Sequence, residues 1–143
     1  MTYPRGAIAV TVELPDGRPL RFISTHFQHN LAEDRLAQAT RINQLFAAEG
    51  DQVLTILAGD LNALPESEPM EVIHQRWTNT MNSPPAASAP STDPHSRIDY
   101  ILYRPAGSLK LLESAVLDEP TASDHFPVFA VFKLPAKPPA GDP

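Results

Sequence analysis

From Ala7 to Leu14 (AIAVTVEL) apolar and polar residues alternate and β-branched side chains are frequent, which predicts a strand. Pro15-Asp16-Gly17 supplies a turn, and Leu20 to Phe27 (LRFISTHF) returns as a second strand of a hairpin. Asn30, followed three residues later by Glu33, has the form of a capping box. Leu31, Ala39, Ile42, Leu45 and Phe46 then recur at helical spacing, so a helix is predicted to about Glu49, with Gly50 as its stop. Arg35 interrupts that apolar face, either laying its stem along it or reaching toward a polar group. Val53 to Ala58 (VLTILA) is a nearly unbroken apolar run, the pattern of a strand covered on both faces. Ser67 to Gln75 predicts a short helix. Ile98 to Tyr103, Leu109 to Leu117 and Phe126 to Leu134 predict three more strands. The order β-β-α-β-α-β-β-β implies an α/β (α+β) fold, a mixed sheet with helices mainly on one face.

That count leaves a surplus of apolar surface. Phe126, Val128, Ala130 and Phe132 point to one side of the last strand, Phe129 and Val131 to the other. Ile98, Tyr100 and Leu102 oppose Ile101 and Tyr103 in the same way. Both faces are apolar, and the predicted helices suffice for one. A bare apolar sheet face is an association site.

Composition narrows the class. The 143 residues suit a single domain, and 11 Lys plus Arg against 17 Asp plus Glu give a net charge of −6. That sign disfavours strong sequence-independent binding to long nucleic acid. The absence of cysteine removes disulfides, thiolate catalysis and Cys-ligated zinc. No apolar run is long enough to span a bilayer, and the first residues lack the apolar core of a signal, so a cytoplasmic setting is expected. Half of the 16 prolines lie in a Ser/Ala/Pro stretch at 82–96 and in a tail at 135–143. Extended, weakly ordered backbone is expected in both, with the folded domain spanning 1–134.

Four short segments set reactive side chains at strand ends: His26 after the second strand, Asp60 and Asn62 after the third, Asp99 at the start of the fourth, and Asp124-His125 at the start of the last. A helix between two strands normally makes them parallel, which puts His26 and Asp60 at one edge. If the fourth and last strands run antiparallel to these, Asp99, Asp124 and His125 join them. Two histidines, three aspartates and an asparagine at one edge match metal-assisted phosphoester hydrolysis. Hard oxygen ligands suit Mg²⁺ or Mn²⁺, a carboxylate can activate water, and a histidine can donate to a phosphate oxygen. His26 and His29 form a His-x-x-His pair, but strand geometry carries His29 into the following loop. His74 and His95 are expected at the surface, and Trp77 under the long loop.

The segments STHFQ, GDLNA, RIDYIL and SDHFPV resemble, in order and spacing, the C-terminal motifs of the endonuclease/exonuclease/phosphatase superfamily, the DNase I-like fold. The resemblance implies half of a four-layer α/β/β/α sandwich and a metal-dependent phosphoester hydrolase, either phosphodiesterase, nuclease or phosphatase. It further implies that Asp60 acts on the nucleophilic water and Asn62 positions it. His26, Asn62 and His125 would hold the phosphate, with Asp99 orienting His125. Asp60, Asn62 and Asp124 would hold the metal.

Members of that superfamily are usually about twofold longer. Their N-terminal half carries a catalytic Asn and a Gln-Glu pair whose Glu is the principal metal ligand, and nothing here matches those motifs. Glu13, Glu33 and Asp34 are the acids available to replace that Glu. A homodimer through the open sheet face would restore the two-sheet packing. The acidic balance favours a small or lipid-like phosphoester over long duplex DNA. The alternative is a non-catalytic or truncated half-domain that serves as an interaction module.

Overall fold

Seven strands and two helices follow one another in the computed structural model, which describes residues 4–81 and 85–136. They are β1 (Ala7–Glu13), β2 (Pro19–His26), α1 (Ala32–Phe46), β3 (Leu54–Asp60), α2 (Glu68–His74), β4 (Thr78–Asn79), β5 (Asp99–Arg104), β6 (Lys110–Val116) and β7 (Val128–Lys133). Every predicted element is present, and the two-residue β4 is an addition. The predicted capping box does not form. Leu31 occupies the N-cap position of α1 with no side-chain cap, which sets Asn30 one residue outside the place where its oxygen could serve.

Five strands make one mixed sheet in the order β1-β2-β3-β5-β4. β2 and β3 are parallel, as the intervening helix requires, while β1 and β5 run antiparallel to their neighbours. β6 and β7 pair only with each other, in a separate two-stranded sheet. The single-edge arrangement expected for the last strand is therefore corrected. β4 pairs with β5 at Leu102 and Tyr103 and occupies the edge to which β6 would otherwise bond. The β6–β7 hairpin instead folds across the sheet, and Phe132 meets the Tyr103 ring edge-on at 5.4 Å between centroids.

The two faces differ. Ile23, Leu57 and Leu102 share one face by register and are fully buried beneath Ala39 and Ile42 of α1 and Met70 and Ile73 of α2. Trp77 joins this helix-side core rather than lying under the long loop. Its indole N–H donates to Asn43 Oδ1, and the Arg104 guanidinium stands over its ring. At the end of the sheet remote from the motif residues, Asp51 pairs with Arg21 at 3.0 Å and Arg104 at 3.3 Å.

On the opposite face the hairpin covers Leu20, Leu54, Ile56 and Tyr103. Beyond its reach the face is open, with Ile8 73%, Val10 50%, Val12 47% and Phe22 40% exposed. Sheet register places these four on one surface, since Ile8, Val10 and Val12 lie opposite Ser24, Phe22 and Leu20. The helices do cover only one side.

Candidate active site

Register alone brings three of the expected residues into a row. His26 is aligned with Asp60 across the parallel pair, and Asp60 with Asp99 across the antiparallel pair. Because aligned residues share a face, all three side chains project from the face that carries the open apolar surface. His26 Nε2 lies 3.4 Å from Asp60 Oδ2, with the histidine half-exposed and the aspartate mostly covered.

Two backbone features hold Asp60 there. Gly59 has φ +151°, and a side-chain carbon at that position would lie 1.9 Å from the carbonyl oxygen of Thr25 on the neighbouring strand. Only glycine admits so close an approach. Asn62 takes the left-handed conformation, φ 47°, which asparagine tolerates better than most residues. Its N–H donates to Asp60 Oδ1 at 2.7 Å, and its side-chain amide donates to the Phe27 carbonyl at 3.1 Å and to Asp60 Oδ2 at 3.3 Å. The tight turn after β3 thus folds the Asn62 side chain back onto the carboxylate.

His125 arrives from outside the sheet. Its Nδ1 lies 2.9 Å from Asp99 Oδ2. An ionised carboxylate only accepts, so Nδ1 carries the proton and Nε2 is left to face outward. The segment 123–126 is held by the proline-rich stretch, which is a hydrogen-bonded turn over the described residues 85–96 rather than weakly ordered chain. Ala89 and Ser96 exchange backbone hydrogen bonds, Ser91 N–H donates to the Asp124 carbonyl at 2.7 Å, and Ser91 Oγ donates to the Ser123 carbonyl at 2.7 Å. Proline lacks an N–H, and the serines and alanines between the prolines make these bonds. Residues 82–84 and 137–143 lie outside the described residues.

Ser88, in that stretch, is fully buried and was not among the residues expected in the site. Its hydroxyl donates to Asp99 Oδ2 at 2.7 Å and accepts from the Ile98 and Asp99 amides at 3.3 Å each. No periodicity or motif marks a serine eleven residues upstream of its partner in an irregular segment.

Burial pushes the Asp60 carboxyl above the ordinary aspartate range. The Asn62 amide opposes that shift, the Asp99 charge adds to it, and the two histidines draw it back. Asp60, Asp99 and His125 each offer a ligand atom, all within 4.8 Å of one another. Two carboxylates and an imidazole fit a divalent cation, which would also neutralise the crowded negative charge that perturbs Asp60. Among the described residues no other such group occurs.

Asp124 stands apart from this group. Its carboxylate is exposed and accepts from Ser123 Oγ at 3.2 Å, so its backbone rather than its side chain serves the arrangement. Glu13 is ruled out as a replacement ligand. It pairs with Pro19 at the other end of the sheet from His26. Glu33 instead lines a groove of about 480 Å³ together with Arg35, Leu36, Asn62 and Leu64. Arg35 donates to the His29 carbonyl at 2.9 Å and fixes the chain leaving β2. His29 itself is exposed, as expected.

A model of the Endonuclease/Exonuclease/phosphatase family matches residues 4–125. Among solved structures the chain is similar to a functionally unknown conserved protein from Enterococcus faecalis, with 24% identity and a TM-score of 0.75 over 90% of this chain and 56% of that one. It is similar to a mannosyl-6-phosphatase from Bacteroides thetaiotaomicron, with 20% identity and a TM-score of 0.75 over 92% of this chain and 58% of that one. The human Nocturnin catalytic domain matches at 22% identity and a TM-score of 0.66 over 92% of this chain and 53% of that one. These likenesses establish the DNase I-like fold, and the chain spans a little over half the length of each. No curated protein matches the sequence.

Proposed function

This chain belongs to the endonuclease/exonuclease/phosphatase family, and from that premise we propose that it is a metal-dependent phosphoester hydrolase with water as the nucleophile. The observation that carries the reading is the row His26–Asp60–Asp99 closed by His125 on Asp99. Asp60 accepts a proton from the attacking water, and its raised affinity for protons suits a base working nearer neutrality. Asn62 holds the Asp60 carboxylate, and its side-chain amide would donate to the phosphate by giving up the 3.3 Å contact with Asp60 Oδ2. Asp99 keeps the proton of His125 on Nδ1, so that Nε2 presents to the phosphate. His26 lines the opposite side.

Mg²⁺ or Mn²⁺ is the cofactor we infer. Asp60 would hold it, with Asn62 beside it, and the ion would supply charge neutralisation for the phosphate oxygens; the exposed Asp124 carboxylate, bonded to Ser123, is left out of this set. The groove beside Asn62 offers room for the rest of a small or lipid-like substrate. Its mixed lining and the net charge of −6 favour such a substrate over long nucleic acid.

The open apolar face supports a second reading of the assembly: two copies of the chain pack through it as a homodimer. Light scattering at micromolar concentration should give twice the chain mass, and a well-behaved monomer would sink this. Without any partner on that face, the alternative of a non-catalytic interaction module gains weight.

Hydrolysis of bis-p-nitrophenyl phosphate and of the monoester, with Mg²⁺ or Mn²⁺ against EDTA, tests the activity. Metal-dependent turnover abolished by His125→Ala is expected. Equal rates in the variant and in the parent would overturn the hydrolase reading. Preference for diester or monoester then separates phosphodiesterase or nuclease from phosphatase.

A further inference from the structure

One buried residue is bonded both to the Asp99 carboxylate and to the backbone of the residue that follows His125. The Ser88 hydroxyl donates to Asp99 Oδ2, the oxygen that also lies 2.9 Å from His125 Nδ1. The Ser88 carbonyl accepts from the N–H of Phe126 at 2.7 Å, immediately after His125. The Ser88 N–H in turn donates to Ser96 O at 2.8 Å, which anchors it to the strand entry. A carboxylate on a short side chain can rotate about its last bond, and in the covered setting of Asp99 nothing in the sheet ladder prevents this. A hydroxyl fixed by its own backbone on two sides does prevent it.

We propose that Ser88 is a positioning residue for this site. It locks the Asp99 carboxylate in the rotamer that presents Oδ2 to His125, while its backbone clamps the 123–126 segment at the matching distance. The stretch around Ser88 is then a strap for the imidazole and more than a connector between α2 and β5. Two independent strands of hydrogen bonding support it. Ser91 repeats the clamp three residues further on, through its N–H to Asp124 and its hydroxyl to Ser123. The inference rests on the hydrolase reading only for its effect on turnover, because the state of the ring is observable without any reaction.

The test reads the His125 ring by long-range ¹H–¹⁵N correlation at a fixed pH of about 8, in EDTA, on the full chain. Asp99→Asn gives the reference for a broken pair. The parent should show a proton on Nδ1. Ser88→Ala and Ser88→Cys, the latter nearly isosteric but a weak donor, should move a clear fraction toward the Nε2–H form, as in the reference. Where the parent turns over substrate, Ser88→Cys should lose about tenfold in kcat with KM unchanged. Parental ring spectra in both variants would overturn the proposal. Loss of the folded state in both would also overturn it, since Ser88 would then hold the fold rather than the imidazole. A parent without turnover counts against the hydrolase reading alone, and the ring spectra still decide Ser88.

Discussion

Gly59 passes Thr25 so closely that a Cβ on it would lie 1.9 Å from the Thr25 carbonyl oxygen. The glycine of the Gly-Asp pair is therefore a packing requirement between two parallel strands. Gly59→Ala must force those strands apart or abandon the φ of +151°. It should lower stability by about 3 kcal/mol or more. Chemical denaturation would measure this, and a loss below about 1 kcal/mol would contradict the geometry.

Asp60 is held in the fold at a cost to stability. Its folded-state proton affinity is raised, mainly by burial and then by Asp99, so ionising it in the native state is unfavourable. The native state binds more protons than the unfolded one above the ordinary aspartate value, and stability falls as pH rises through that window. Asp60→Asn should then melt on the order of 2–4 °C higher than the parent at pH 7 in EDTA. The gain should vanish below about pH 4, where both states carry the proton. Turnover should fall by about 100-fold or more. Added Mg²⁺ should raise the melting temperature of the parent and leave the variant unmoved.

Asp51 behaves in the opposite sense. Burial alone would raise its pKa, but the Val53 amide, Arg21 and Arg104 together bring it below the ordinary value. Stability from this group is full above the ordinary aspartate range and is lost as pH falls through the depressed folded value. Asp51→Asn should melt roughly 3–6 °C lower at neutral pH and converge with the parent in acid. Calorimetry across pH checks both limits. Catalysis should be untouched, because the cluster lies at the far end of the sheet.

The open face gives a solution prediction. Val10→Thr with Phe22→Thr removes apolar surface at 50% and 40% exposure, with a small effect on the folded monomer. Sedimentation should show the parent as the proposed dimer and the variant shifted toward monomer at the same concentration.

Most of this fold was legible because its signals are local. The apolar run at Val53–Ala58, the hairpin turn at Asp16-Gly17 and the helical spacing through Ile42 each fix an element with little help from elsewhere. Strand direction followed from the single helix between β2 and β3, and with it the alignment of His26, Asp60 and Asp99. What stayed hidden is non-local. The two residues of β4 deny β6 a place in the main sheet, and nothing in Thr78-Asn79 announces that pairing. Ser88 acts through distances that only tertiary structure creates, from a stretch whose composition suggests looseness. The exposed carboxylate of Asp124 is equally a matter of local rotation, which residue type does not encode.

Phe22 and His26 project from the same side of β2, as do Ile56 and Asp60 of β3. A body seated on the apolar part of that side would border the proposed site. Where such a body touches the substrate, the two binding events are thermodynamically linked, and by reciprocity each alters the affinity of the other by the same factor. Specific activity would then depend on how concentrated the protein is, and a substrate able to touch both the site and that body would itself drive assembly.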